Sequence, residues 1–581
     1  MLNDARHLPA DALITAEACV IGAGPAGIAA ASELAQRGVH VVLVEAGGLR
    51  EERNSTETYR GVIDGEDGLN SGRRDVHPPL ETLRQRAFGG TTWSWGGRCA
   101  PLGELDFDTR PHLALSGWPI SRAELLPFYR RAHEYLELGH FEYSTREAMP
   151  SGPPFLLADC RESDLLCDTD LFRYSPPTNF GRAYRPFVGR EPAIRAYHHA
   201  NVLRLEVDPD GKAVTGAVIA SQPGRLARVQ ASEYIIATGG LETARLLLVS
   251  GRSAGKPVGS GYGWVGKGYM THLDGMVGRV GFRSDAPRAA YAYERSRDGV
   301  FCRRILRLPD RVQEERGLLN LGSVMYFPEP RHPSHGDSVL SGFALTKELL
   351  NRAGLGARTK RNRLPDRQPF PAGAHLLNIA RNPLPLLAFG PRWASARWRG
   401  DRRLPSFLRR SAVNQYRLLF SAEQSPNRES GVALADDRDA FGVPRLKVSW
   451  RVSVADYDSV VGSLDLIANG FSRLGIGWME TPPTPEHLAA ELGGGFVAGT
   501  HAMGLTRMSS SPDLGVVDRR CRVHGMSNLY VASSAVFPTG GFAPPTLTVV
   551  ALAIRVADAI GRSRGRNIRT NTAVGSTEPD S

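Results

Sequence analysis

A chain of 581 residues exceeds the size at which one core stays compact, so at least two domains are predicted. Its composition, 41% hydrophobic and 23% charged, fits a folded globular protein rather than a fibrous or disordered one. The formal net charge of +11 comes without a lysine-rich arm, a finger motif or an RNA-binding sheet motif, which argues against a nucleic-acid partner.

Apolar runs such as Thr546–Ile554 are too short to span a bilayer, and the N-terminus lacks the basic start and apolar stretch of a secretory signal. The cysteines (Cys19, Cys99, Cys160, Cys167, Cys302, Cys521) are scattered, with no C-x-x-C pair and no zinc-type histidine spacing. A cytoplasmic protein with free thiols and no bound metal is the expectation.

In chain order, Ala18–Ile21 is a short apolar run of the kind that forms a buried parallel strand. Gly22-Ala23-Gly24-Pro25-Ala26-Gly27 follows, then an Ala-rich helix over Ile28–Arg37 stopped by Gly38, then a strand over Val39–Val44 ending in Glu45. In such a unit Gly22 permits the tight turn, Gly24 lets the backbone approach a pyrophosphate, and Gly27 lets the helix pack on the strand. The helix N-terminus offers NH groups to the diphosphate. Glu45 stands roughly twenty residues on, where a carboxylate accepts hydrogen bonds from ribose. The unit predicts dinucleotide binding without separating FAD from NAD.

Ser121-Arg122-Ala123-Glu124 is a capping box that opens a helix to about Leu138, with an apolar face suited to packing. Val202–Val207 and Thr215–Ala220 are predicted strands joined at Asp208-Pro209-Asp210-Gly211. Tyr234–Gly240 followed by a helix over Leu241–Val249 is a second strand–glycine turn–helix unit, so the nucleotide domain is assembled from separated pieces. Between about 340 and 410 the chain is crowded with Arg358, Lys360, Arg361, Arg363, Arg392, Arg397, Arg399, Arg402, Arg403, Arg409 and Arg410, against Asp366 and Asp401. Apolar segments Leu376–Ile379 and Leu384–Phe389 lie among them. This insertion is either a solvated loop or a contact surface for an anionic substrate, a redox protein or a membrane. Near the C-terminus, Pro545 starts a helix over Thr546–Ile560.

Four further segments resemble the glucose–methanol–choline (GMC) oxidoreductases, nearest to the sugar- and polyol-oxidising members. They are Phe88–Gly97 with Ser116–Ile120; Val265–His272; Glu423–Asn427; and a C-terminal block from Gly499-Thr500-His501-Ala502-Met503-Gly504 through Arg507-Met508, Gly515–Asp518 and Asn528–Ala532 to Pro538–Thr548. The resemblance implies FAD, with Glu45 at the adenosine ribose and the Val202 backbone facing adenine. It implies Gly90 and Thr91 beside the diphosphate and Ser94, Gly96 and Gly97 beside the flavin ring. Some relatives attach FAD through a histidine in that last segment; Ser94 stands there in this chain, which implies non-covalent FAD. His501 aligns with the catalytic histidine, a general base for the hydroxyl proton while the carbinol hydride goes to flavin N5. His272 and His524 are read as structural. Pro545 and Thr546 begin the helix whose N-terminus would face the flavin and stabilise its negative charge. One departure stands out. Relatives carry Asn or His immediately before Pro-Thr, and here that residue is Pro544, which has no side-chain donor or acceptor.

The expected fold is α/β (α+β overall). It comprises a Rossmann-like FAD-binding domain over 1–115, 190–285 and 490–570, a substrate domain with a mainly antiparallel sheet and helices over 116–189 and 286–489, and a disordered tail over 571–581. The expected activity is FAD-dependent oxidation of a small-molecule alcohol, sugar, glycoside or cyclitol. The alternatives are a lyase or other non-redox enzyme with structural FAD, kept open by Pro544, and a non-catalytic flavin-binding protein.

Overall fold

The structure, a computed structural model, describes residues 1–52, 55–64, 75–150, 166–176, 178–251, 258–259, 263–283, 290–326, 330–353, 369–398, 402–406, 408–409 and 414–565. Cys160, Arg358, Lys360, Arg361, Arg363, Asp366, Arg399, Asp401, Arg410 and the 571–581 tail lie outside these, as does the Arg397 side chain.

The nucleotide-type unit forms the centre of an eight-stranded sheet. Strands Leu2–Asp4, Ile194–His198, Val41–Val44, Ala12–Ile21, Arg225–Ile236 and Leu529–Val531 run parallel in that spatial order. The meander of Val214–Gln222 and Asn201–Val207 continues antiparallel from Arg225–Ile236. Cys19, Val20 and Ile21 are buried together with Val41–Val44, Ile235 and Ile236, because helices cover the sheet centre. The helix Pro25–Gln36 packs on the C-terminal helix Thr546–Ser563, whose buried stripe includes Leu547, Val550, Ala551, Ile554 and Ile560.

Several elements outrun their sequence signal. The first long strand begins at Ala12, not Ala18, because residues 12–17 pair with Ala227–Ala231 and onward at the rim, where Leu13 is exposed. Strand Arg225–Ile236 is likewise longer than the apolar Tyr234–Ile236. The capping box at Ser121 forms as expected, opening a helix over Arg122–Leu136.

The second region is built on a five-stranded sheet, all antiparallel, in the order Leu306–Arg307, Leu321–Tyr326, Gln415–Ala422, Leu273–Phe282, Gly477–Glu480. Helix Val454–Arg473, capped by Ser453, contributes Tyr457, Val460, Leu464, Ile467 and Phe471 to its core. Strand Leu273–Phe282 belongs to this sheet, although a boundary at 285 groups it with the nucleotide region. Its glycine-rich sequence gives no sign of which sheet it joins. Among the described residues no helix is long and apolar enough to cross a membrane.

Candidate active site

The parallel strands aim their C-terminal ends at one cavity of about 480 Å³, walled by Ile21, Val44, Ala237 and Ala532 at those ends. Open α/β sheets place ligands there because loops and helix N-termini converge at that edge. Gly22, Gly24, Glu45, Gly90, Thr91, Gly96, Gly97, Val202, His501, Pro544, Pro545 and Thr546 all line it. The sequence places these residues in six separate stretches.

The glycine turn shows the division of labour its spacing implies. Gly22 has φ +100. A Cβ on Gly27 would lie 1.8 Å from the Gly22 carbonyl oxygen, so Gly27 is required by helix packing and does not touch the cavity. A Cβ on Gly24 would meet nothing within 4 Å. Protein packing therefore makes no demand for glycine there; the space it leaves belongs to the cavity. Gly96 and Gly239 border the cavity in the same way. Gly90 packs against Gly24, with a would-be Cβ 3.1 Å from its Cα.

Three helices open onto the cavity, one of them Gly239–Ser250 through Thr238, Gly239 and Gly240. Of the other two, Pro25–Gln36 begins at Gly24 and Thr546–Ser563 begins at Pro545, and neither has a side-chain cap on its first amides. Both N-termini thus present partial positive charge to the cavity. Glu45 is buried and accepts from the backbone amides of Ala23 (2.9 Å) and Gly47 (2.8 Å). Burial raises its pKa. Each carboxylate oxygen keeps lone-pair capacity for a further donor. Ser94 is not in the wall. It caps the short turn Gly90–Trp93, and its hydroxyl donates back to the Thr91 carbonyl at 3.4 Å, while Trp95, Gly96 and Gly97 reach the cavity.

His501 reaches the wall beside His272. Their Nδ1 atoms are 2.8 Å apart, with the rings nearly perpendicular at 82°. The pair is assembled by a two-way backbone bridge in which Met270 and Met503 exchange N–H···O bonds of 3.1 and 2.9 Å. His272 is fully buried, and that burial lowers its pKa; the Arg98 guanidinium, itself in the cavity wall, pushes the same way. His524 instead meets the Ser509 hydroxyl at 3.2 Å and is not in the wall.

The remaining signature segments meet behind the turn that precedes the C-terminal helix. Arg110 and Glu423 form a buried bidentate pair at 2.7 Å for each bond. Asn320 donates to Asp106 at 3.0 Å, and a Cβ on Gly541 would strike the Asp106 carboxyl. Burial, then the nearby Glu423 charge, pushes Asp106 up to about 6. Trp118 donates to Thr539, whose hydroxyl donates to the Asp106 carbonyl at 2.7 Å.

Sequence reasoning missed three participants. His272 was read as a structural histidine, and only the Met270–Met503 bridge reveals its partner. Arg98 follows Gly97 in the glycine-rich segment but drew no attention as one arginine among many. At another part of the wall an ion-pair chain links Arg84 to Glu242 (2.6 Å) and Arg245 to Asp439 (2.7 Å). Its only local signal was the Glu242–Arg245 spacing on one helix.

Comparison with known proteins points to a family. Residues 426–553 match the GMC oxidoreductase family model, and residues 15–61 match an FAD binding domain. The C-terminal part of the chain is thus similar to the GMC oxidoreductases. It is 22% identical to 2-methyl-1,2-propanediol dehydrogenase of Mycolicibacterium austroafricanum, over 94% of both chains. It is 22% identical to the fructose dehydrogenase large subunit of Gluconobacter japonicus, over 94% of this chain and 98% of that one. Its fold matches an FAD-dependent oxidoreductase from Chaetomium thermophilum with a TM-score of 0.54 and 16% identity, over 95% of this chain and 100% of that one. The protein is an FAD-dependent oxidoreductase. The open space at Gly24 and Gly96, the uncapped helix N-termini and the buried Glu45 fit FAD.

Proposed function

We propose that the protein oxidises the CH–OH group of a small polyol or sugar, with His501 as general base. FAD, when bound, supplies the hydride acceptor. The observation that carries this reading is the His501–His272 pair at the wall of a cavity that also holds the glycine turn and Glu45. The relatives' names, a diol dehydrogenase and a fructose dehydrogenase, support the substrate class.

The pair constrains the proton chemistry. His272 is kept neutral by burial, so it donates through one nitrogen only. Its Nε2 faces the Gly540 carbonyl at 3.5 Å, and a carbonyl can only accept. The proton therefore sits on Nε2, and Nδ1 of His272 accepts from Nδ1–H of His501. That leaves Nε2 of His501 with its lone pair, the state required of a base. When Nε2 takes the substrate proton, the charged ring keeps its Nδ1–H···His272 bond. His272 is thus a positioning residue.

Pro544 brings only a backbone carbonyl to the wall. We assign the missing polar contact to Arg98, whose guanidinium packs 4.8 Å from the Phe172 ring centroid. A fixed cation there favours alkoxide character at the substrate oxygen. Glu45 holds the ribose, Val202 lies at adenine, Gly90 and Thr91 lie at the diphosphate, and Gly96, Gly97, Pro545 and Thr546 border the flavin. We take the cofactor as held without a covalent bond, because Ser94 stands where some relatives carry the linking histidine.

The test is anaerobic mixing with a panel of diols, sugars and glycosides. Bleaching of the flavin by polyols is expected. Product formation without bleaching would replace this reading with a lyase-type reaction. Acid precipitation should leave the yellow colour in the supernatant, and flavin retained by the denatured chain would contradict non-covalent binding.

A further inference from the structure

Residues 331–410 contain 16 Lys and Arg against 4 Asp and Glu, whereas the rest of the chain carries 55 against 56. The entire net positive charge therefore belongs to this one insertion. Its described helices are Ser338–Arg352, Ala372–Arg381 and Leu384–Trp398, the last two each packed on the first.

In one of them the burial pattern is inverted. Helix Ala372–Arg381 buries His375 and Asn378 and exposes Leu376 and Leu377. The buried polar groups are fully used: His375 meets the Ser341 hydroxyl and the Arg331 carbonyl, each at 3.1 Å, and Asn378 donates to the Pro333 carbonyl at 2.8 Å. The neighbouring helices also expose leucines, Leu349 at 68%, Leu384 at 72% and Leu387 at 68%, while Ser338–Arg352 buries Val339, Leu340 and Ala344 toward the interior. Of the thirteen large hydrophobics exposed among the described residues, seven fall between Phe343 and Leu387. Scattered exposed leucines need no explanation, but a concentration on one small helical subdomain marks a contact surface.

We propose that this helical insertion is a monotopic docking surface for an anionic lipid bilayer. Leu349, Leu376, Leu377, Leu384 and Leu387 enter the apolar boundary, and arginines such as Arg381 and Arg392, both exposed, meet the headgroups. Leucine and arginine together are what interfacial helices require, and the described helices are not apolar enough to span. The charge selects the occupant. A second copy would bring the same net positive segment against itself, whereas an anionic headgroup layer neutralises it. An acidic protein would satisfy the arginines but leave no reason for leucines to face outward.

The test is co-sedimentation of the full-length, FAD-loaded protein with phosphatidylcholine vesicles with and without phosphatidylglycerol. Binding is expected with the anionic vesicles and only weakly without. It should fall as salt approaches about 1 M, where exposed charges are screened. Leu376→Ser/Leu377→Ser and Leu387→Ser should each lower partitioning by about tenfold or more per leucine. Arg381→Gln/Arg392→Gln should weaken binding to anionic vesicles alone. All these variants should keep native FAD content, melting temperature and turnover of soluble alcohols, since the altered groups point away from the core. Three results would overturn the proposal: no binding to anionic vesicles at low salt, leucine variants that bind as the native protein does, or sedimentation velocity showing a leucine-dependent dimer.

Discussion

His501 would be an ordinary imidazole without its neighbour. The Nδ1–Nδ1 contact at 2.8 Å gives it an oriented lone pair, and His272 gains that role only because it is itself buried and neutral. His272→Asn can still accept from Nδ1–H through its amide oxygen, whereas His272→Phe cannot. We expect His272→Phe to slow flavin reduction by roughly tenfold to a hundredfold, within the range of general-base effects. His272→Asn should recover most of that loss, and both should retain FAD. Equal rates for the two variants would remove the tautomer-holding role. At Pro544, substitution by Asn should change reduction by less than about tenfold, or about 1.4 kcal/mol of barrier, because Arg98 already supplies polarity at the wall. A hundredfold gain from Pro544→Asn would show that the native site lacks a redox contact. The places of His501 and Glu45 at the cavity wall were legible because each sits inside a motif. His272 was not, because its function depends on a partner 229 residues away.

Elements explain why two glycines in one turn are not equivalent. Gly24→Ala adds a methyl group to the cavity and meets no protein atom, whereas Gly27→Ala drives one into the Gly22 carbonyl. We expect Gly24→Ala to fold with native melting in the FAD-free state but to bind FAD more weakly. Gly27→Ala should lower the melting temperature itself. Thermal melts with and without added FAD separate the two, and identical behaviour would contradict the assignment of Gly24 to the cofactor side. The turn before the C-terminal helix depends on the Arg110–Glu423 pair. Glu423→Gln leaves a buried guanidinium without its counter-charge, a loss of about 3–5 kcal/mol. Urea unfolding measures it, and a loss below about 1 kcal/mol would mean the pair behaves as a surface bridge does. At this scale the sequence showed strand–turn–helix units clearly, since burial on both faces produces apolar runs. It hid the extensions at Ala12–Glu17 and Arg225–Glu233, where ladder hydrogen bonds rather than apolar faces define the strand.

Across the whole molecule, two sheets have their own cores and the site lies at the C-terminal edge of the parallel one; the separation of the sheets in sequence was legible as distance between motifs. Which sheet claimed Leu273–Phe282 was not, because its glycine-interrupted sequence does not name a partner. Stability carries a molecule-wide signature through buried histidines. Burial holds His77 and His133 at about 4, below the ordinary value of 6.5, and lowers His272 too. Between pH 6.5 and 4 the unfolded chain binds protons that the native protein refuses, so stability falls as pH drops through that window. The slope is roughly 1.4 kcal/mol per pH unit for each such histidine. Asp106, raised to about 6, acts in the opposite sense between that value and 3.8 and offsets part of the loss. Melting temperatures at pH 7 and pH 5 should show a clear drop, and a flat profile would contradict neutral buried histidines.

The most direct measurement is anaerobic stopped-flow flavin reduction by a polyol that bleaches the native protein, followed from pH 5 to 9 in native and His501→Ala forms. The base assignment predicts that native reduction rises with pH as a histidine-range group loses its proton. It predicts that His501→Ala binds FAD normally but reduces it about two to four orders of magnitude more slowly, with that pH dependence gone. A His501→Ala protein that reduces flavin at the native rate, or keeps the native pH profile, would contradict the account.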